Sequence, residues 1–194
     1  MELHLVRHGK TKANERNLYC GQIDLPLSPD GAAEIASFKD QGIYPEAPDL
    51  FFSSTLVRTG QTIGIIYGGV RIKSLSDIAE YHFGGFEMHS YEELKSREDY
   101  QKWITDETGD VPCPGGESKK QFKKRVIAGY NCIVSEIHQA NCSSVFVACH
   151  GGTIACLMEY IQPRAKGFYE WQPAPGRGYT LIYVNGQFQE LRNL

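Results

Sequence analysis

Two stretches decide the fold: Leu3-His4-Leu5-Val6-Arg7-His8-Gly9 near the start, and Ser144-Val145-Phe146-Val147-Ala148-Cys149-His150-Gly151-Gly152 far downstream. Each is a short apolar run that ends on a histidine followed by glycine. Runs of this length, bounded by turn residues, predict buried strands over Leu3 to Val6 and Ser144 to Cys149. Thr153 to Ile161 follows the second as an apolar segment of helical length. A strand leading through a glycine turn into a helix is the repeating unit of an α/β layer fold. Side chains just past a strand's carboxyl end face the crevice where open α/β sheets bind ligands. Glycines there let backbone approach an anion, and a helix N-terminus favours negative charge.

The alternation continues outward. Ser28-Pro29-Asp30-Gly31 opens a helix over Ala32, Ala33, Ile35, Ala36 and Phe38, with serine as N-cap and proline at the first helical position. Asp49 to Ser53 predicts a buried strand, and Ser54-Thr55 a cap for a helix from Leu56 to about Tyr67. Val70 to Ser74 is a weaker strand. From Asp77 to Pro114 the periodicity is poor, with one helix predicted near Tyr91 to Ile104. Glu117 to His138 is the clearest helix, with Phe122, Val126, Ile127, Tyr130, Ile133, Val134 and Ile137 on one stripe. Tyr179 to Val184 and Gln187 to Leu191 flank Asn185-Gly186, a strong hairpin signal. No linker interrupts the pattern, so residues 1–194 are expected to form one domain, with 77–114 as a small cap segment.

Composition bounds the function. With 194 residues, 41% of them hydrophobic, the chain can bury a substantial core without staples. A net charge of −3 argues against a nonspecific nucleic-acid binder. The basic run Lys119-Lys120 with Lys123-Lys124-Arg125 falls on the long predicted helix and reads as a solvated face. Six cysteines show no CxxC pair and no zinc spacing, so free thiols in the cytoplasm are expected. The apolar run before Arg7 is too short for a signal peptide, and no window of 18 apolar residues predicts a membrane span.

Phosphoryl transfer requires a nucleophile, several donors for the phosphoryl oxygens and an acid for the leaving group. Leu5-Val6-Arg7-His8-Gly9-Lys10-Thr11, Asn14 and Gly21-Gln22-Ile23-Asp24-Leu25-Pro26-Leu27-Ser28 together resemble the histidine phosphatase superfamily. Four further segments follow in the family's order. These are Ser53-Ser54-Thr55-Leu56-Val57-Arg58-Thr59-Gly60-Gln61-Thr62, Glu80-Tyr81-His82-Phe83-Gly84, Pro114-Gly115-Gly116-Glu117-Ser118 and Cys149-His150-Gly151-Gly152. The resemblance implies a three-layer αβα sandwich around a mostly parallel sheet. It also implies a phosphohistidine route needing neither cofactor nor metal. His8 would be the nucleophile; Arg7, Arg58 and His150 would bind the phosphoryl oxygens, and Asn14 would donate a further hydrogen bond. Gly21, Gln22 and Gly151 would line the substrate site. Glu80 would protonate the leaving oxygen and then take a proton from water, with Glu87 as the rival acid.

Other readings sit beside these. On its own, Arg58 reads as a surface arginine on a helix. His4 reads as a satisfied core or edge histidine, His82 and His89 as structural or rim residues, and Cys149 as a small buried filler. Tyr91, Tyr100 and Trp103 either stack a substrate ring or pack a cap helix. Lys10, Ala13, Phe86-Glu87-Met88 and Thr153-Ile154-Ala155 depart from the family's usual residues, all where the pocket rim is expected. The expected partner is a small phosphate ester such as α-ribazole 5′-phosphate or a sugar phosphate, not nucleic acid or membrane. A cofactor-dependent phosphoglycerate mutase and an inactive phospholigand-binding module are the alternatives. The C-terminal hairpin leaves a homodimer open.

Overall fold

Residues 1–163, 165–184 and 187–194 are described by the computed structural model. Strands β1 (Glu2–Arg7), β2 (Leu50–Ser53), β3 (Ile72–Ser74) and β4 (Ser144–Cys149) pair in parallel. Strands β5 (Gly178–Val184) and β6 (Gln187–Asn193) extend the sheet antiparallel, in the order β3-β2-β4-β1-β5-β6. The mostly parallel sheet matches expectation. The predicted turn Asn185-Gly186 lies outside the described residues.

Strand alternation builds the layers. Leu3 and Leu5 of β1, Phe52 of β2, and Val145, Val147 and Cys149 of β4 join one apolar cluster; Val6, Phe51, Phe146 and Ala148 join another. The second cluster is closed by Ile35 of α2 (Pro29–Asp40) and by Ile63 and Ile66 of α3 (Val57–Tyr67). The first is closed by α6 (Lys119–Ala140) and α7 (Gly151–Ile161). From α6 it takes Phe122, Val126, Tyr130, Ile133 and Ile137, while Ile127 is only partly covered. The result is helix, sheet, helix. No helix among the described residues is long and apolar enough to cross a membrane.

The caps explain where helices start. Ser28 Oγ accepts from Gly31 N, and Ser118 and Gln121 form a reciprocal capping box that starts α6 two residues later than Glu117. A short helix, α1 (Lys12–Glu15), was not anticipated; Thr11 and Asn14 cap it. Ser54-Thr55 does not cap α3, whose N-cap position is Leu56 and has no side-chain cap. Ser54 Oγ instead accepts from Leu56 N and points its other bonds elsewhere.

The predicted helix over Tyr91 to Ile104 is two helices, α4 (Tyr91–Leu94) and α5 (Glu98–Ile104). In one continuous helix, Leu94 and Tyr100 would lie roughly 120° apart around the axis. The break lets both, together with Trp103, enter the first cluster. Tyr81, Tyr100 and Trp103 are buried against Phe86 and Phe122, and Trp103 Nε1 donates to Tyr81 Oη at 3.0 Å. Tyr100 and Trp103 therefore pack into the core rather than offer a stacking face, whereas Tyr91 is exposed.

Candidate active site

Parallel register assembles the first half of the site. Arg7 pairs with Cys149 and Ser53 with Ala148, so His8, Ser54 and His150 leave three neighbouring strands at one edge. His8 N donates to Cys149 O at 3.0 Å, and the His8 and His150 rings meet edge to face with centroids 5.1 Å apart. Both rings are buried. In the first turn of α3, Arg58 is fully buried rather than a surface arginine. Its Nε donates to His8 Nε2 at 3.2 Å, and its terminal nitrogens donate to Ile23 O at 3.0 Å and Gly21 O at 2.7 Å.

The chemistry of His8 follows from its partners. A carbonyl can only accept, so the 2.7 Å contact between Nδ1 and Gly9 O places the ring proton on Nδ1. Nε2 then carries the lone pair, directed at Arg58. Burial, followed by the charges of Arg58 and Arg7, holds the His8 pKa well below its ordinary 6.5, so the ring is neutral at pH 7. His150 is likewise driven well below 6.5 by burial and then by Arg58 and its neighbours. Burial lowers the pKa values of Arg7 and Arg58, and the charge of Glu80 opposes this for both.

Two nitrogens in this half lack partners. Arg7 NH1 donates to Pro173 O at 2.8 Å, but Arg7 Nε is buried and unbonded, and so is His150 Nδ1. Buried polar groups are otherwise almost always satisfied, so the pair marks a place for an acceptor. Gly151 explains itself here, because a Cβ would lie 3.1 Å from Arg7 Cζ.

Loops supply the second half. Glu80 Oε2 accepts from Gly152 N at 2.9 Å in the first turn of α7, and Oε1 accepts from Tyr81 N at 2.9 Å. Glu87 is consumed differently: its carboxylate accepts from the backbone nitrogens of Gly21, Gln22 and Phe83 at 2.8, 2.9 and 3.2 Å. It ties two loops together. Gly21 must be glycine, since a Cβ would fall 1.7 Å from Tyr81 O. Gln22 Nε2 donates to Glu80 O at 2.8 Å. Gly21 and Gln22 thus stand beside Arg58 and Glu80 with these donors spent on the protein. Asn14 Oδ1 accepts from the Thr11 backbone and hydroxyl at 2.9 and 3.0 Å, which leaves its amide nitrogen as a donor.

Three contributors escaped the sequence reading. Thr62 Oγ1 accepts from Gly9 N at 3.2 Å and donates to Arg58 O at 2.8 Å, linking the two motifs. Arg125 of α6 donates to the carbonyls of Asp77, Ala79 and Glu80 at 2.9, 2.8 and 3.1 Å, and pairs with Glu117 at 2.5 Å. Ser54 contacts His150 Nε2 at 2.8 Å. Ser54 and Thr62 stood in a quoted motif, and only their buried neighbours distinguish them. Arg125 sat in a basic run read as solvated. His4 is the satisfied core histidine expected, bonded to Thr180 Oγ1 and Ser144 Oγ. Cys149 is buried and its thiol is pushed far up by desolvation. Among the described residues, no group of three or more His, Cys, Asp or Glu side chains is placed to hold a metal ion.

Comparison with known proteins identifies the family and the fold. The model of the histidine phosphatase superfamily, branch 1, matches residues 3–192. The adenosylcobalamin/alpha-ribazole phosphatase of Salmonella typhimurium is 29% identical over 164 residues, 81% of this chain and 78% of that one. A 2,3-bisphosphoglycerate-dependent phosphoglycerate mutase of Nitrobacter winogradskyi is 30% identical over 171 residues, 82% and 80% of the two chains. In fold, a putative alpha-ribazole-5′-P phosphatase of Escherichia coli superposes with a TM-score of 0.83 at 22% identity, covering 98% of this chain and 94% of that one. The chain belongs to the histidine phosphatase superfamily, branch 1, as a phosphatase of that family.

Proposed function

We propose that this phosphatase hydrolyses a small phosphomonoester through a phosphohistidine on His8 Nε2. The observation that carries the reading is the His8 ring itself: proton held on Nδ1 by Gly9 O, and lone pair on Nε2 facing Arg58 in a ring kept neutral by burial. In the first step Nε2 bonds to phosphorus and the ester P–O bond breaks, while Glu80 gives its proton to the departing oxygen. In the second, Glu80 takes a proton from water, the water oxygen bonds to phosphorus and the P–N bond breaks. Arg7, Arg58 and His150 receive the phosphoryl oxygens, with Arg58 Nε turning from His8 to the incoming group. The two arginines supply positive charge to the phosphoryl group, and the neutral His150 supplies a hydrogen bond. Asn14 adds an amide donor, and Gly21, Gln22 and Gly151 shape the wall.

The residues 1–194 act as one catalytic domain in this reading, with 77–114 as its cap. The names of the Salmonella and E. coli relatives make α-ribazole 5′-phosphate the first ester to test, with sugar phosphates next. The mutase reading has relatives in its favour. Against it, Arg97 is the only arginine between Gly84 and Pro114, and it is paired with Asp99 and lies over Phe86 rather than being free to bind a sugar-acid carboxylate. Six free thiols, three of them buried, favour a reducing cytoplasmic setting.

The test is release of phosphate from p-nitrophenyl phosphate and from the metabolite esters in EDTA, with acid-labile phosphoenzyme trapped by rapid quench. Turnover that disappears in His8→Ala is expected. Turnover that survives in His8→Ala refutes the nucleophile. Phosphoglycerate interconversion outpacing hydrolysis when 2,3-bisphosphoglycerate is added would establish the mutase instead.

A further inference from the structure

The two site histidines are held by unlike partners. A carbonyl dictates where the His8 proton sits; His150 has no such partner. Its Nε2 lies 2.8 Å from Ser54 Oγ, which can give or take a proton, and its Nδ1 is buried and unbonded. Because His150 is fully buried and kept neutral, it must choose one tautomer, and that choice decides whether the orphan Nδ1 is a donor or a bare lone pair. We infer that Ser54 is a positioning residue that donates its hydroxyl proton to His150 Nε2, fixing the tautomer in which Nδ1–H faces the phosphoryl oxygens.

The hydroxyl network permits this. Ser54 Oγ already accepts from Leu56 N at 3.2 Å, so its single proton goes either to Thr59 Oγ1 at 3.1 Å or to His150 Nε2 at 2.8 Å. Thr59 needs no proton from Ser54: its own hydroxyl donates to Leu56 O at 2.7 Å, with Ser54 O also in reach at 3.2 Å. The shorter contact to His150 is therefore free to take the Ser54 proton. The opposite arrangement puts a bare lone pair on Nδ1, whereas Arg7 Nε, the other buried nitrogen without a partner in this half of the site, is a donor. With a phosphoryl group bound, that lone pair would face anionic oxygen, which repels it. With Nδ1 protonated, both orphans are donors and a single phosphoryl group satisfies them. A neutral histidine thus serves as an oxyanion donor without ever needing to be protonated.

The inference rests on the phosphoryl-binding reading of His150, and its test separates the two. ¹⁵N-histidine NMR of the wild-type protein without substrate should place His150 Nδ1 in the range of a protonated ring nitrogen and Nε2 in the bare range. The reverse pattern overturns the inference even if hydrolysis and the His8→Ala result stand as proposed. In Ser54→Ala the tautomer should mix or invert, and kcat should fall about 10- to 100-fold with KM changed far less. Ser54→Thr keeps the hydroxyl and should restore both the ¹⁵N pattern and most of kcat. An unchanged tautomer and kcat in folded Ser54→Ala refutes the inference. If Ser54→Ala does not fold, the wild-type spectrum and Ser54→Thr decide it.

Discussion

The site is made of two halves held by different physics. On the sheet side, Arg7, His8, Ser54 and His150 sit at strand ends whose positions are dictated by backbone register, and Arg58 is in the first turn of a helix packed against the same sheet. On the loop side, Gly21, Gln22, Glu80 and Glu87 lie in segments without regular structure, or in single turns. No ladder fixes those segments. Side chains and scattered backbone bonds do so instead: Glu87 ties the Gly21–Gln22 turn to Phe83, Tyr19 exchanges backbone bonds with Met88 and His89, and Arg125 with Glu117 grips the segment from Asp77 to His82. The proposed nucleophile thus stands on the part held by strand pairing, and the proposed acid stands on a part assembled from a few polar contacts. Stability of the fold and placement of the acid should be separable.

The sharpest break comes at the two carboxylates. Glu80→Gln should lower kcat by roughly 10²- to 10⁴-fold because the proton donor is lost. It should also cost about 1 to 2 kcal/mol, because the amide nitrogen cannot accept one of the two N–H bonds that Oε1 and Oε2 take. A kcat within a few-fold of wild type would move the acid role elsewhere. Arg125→Met removes the grip on three carbonyls and leaves Glu117 unpaired in a mostly buried setting. It should cost about 2 to 4 kcal/mol in urea unfolding and depress kcat through misplaced Glu80. Loss of stability with kcat untouched would show that the grip does not position Glu80. Glu87→Gln should cost about 1 to 3 kcal/mol, since an amide cannot accept all three N–H bonds, while kcat stays within about tenfold.

Acid should act on the sheet side. His4, His8 and His150 have pKa values lowered chiefly by burial, so the unfolded chain protonates them near 6.5 while the folded chain resists. Below about pH 6.5 the unfolded state binds more protons, and Tm should fall as pH drops until the folded-state values are reached. These groups contribute nothing to the slope above that point. His150→Gln should flatten the descent; an unchanged slope would mean that His150 titrates normally. The smallest effect is expected at Gly60 in α3, where an added Cβ meets no atom within 4 Å. Gly60→Ala should stabilise by about 0.5 to 1 kcal/mol through helix propensity and leave kcat alone.

Legibility followed the same division. The strands, the order of the motifs and the placement of His8 and His150 at strand ends could be read because apolar runs and glycine turns are local signals. The same logic misassigned Ser54-Thr55 as a cap and merged α4 with α5, since neither His150 beside Ser54 nor the burial of both Leu94 and Tyr100 is visible along the chain. Arg58 looked like a surface residue apart from its motif and is fully buried. Arg125 looked solvated and grips the Glu80 segment.

By itself the sequence determined the α/β architecture, the family and the residue types of the site, because strand periodicity and motif order are properties of neighbouring residues. Only the tertiary structure decided which nitrogen of His8 carries the proton, that Glu87 is a tether with both carboxylate oxygens bonded to backbone N–H groups, and that Ser54 faces His150. Ser54 meets His150, 96 positions away, only because the sheet register brings two strand ends together. Glu87 meets Gly21 only when two distant loops pack, and the His8 bond to its neighbour Gly9 depends on the rotamer that the buried site imposes on the ring.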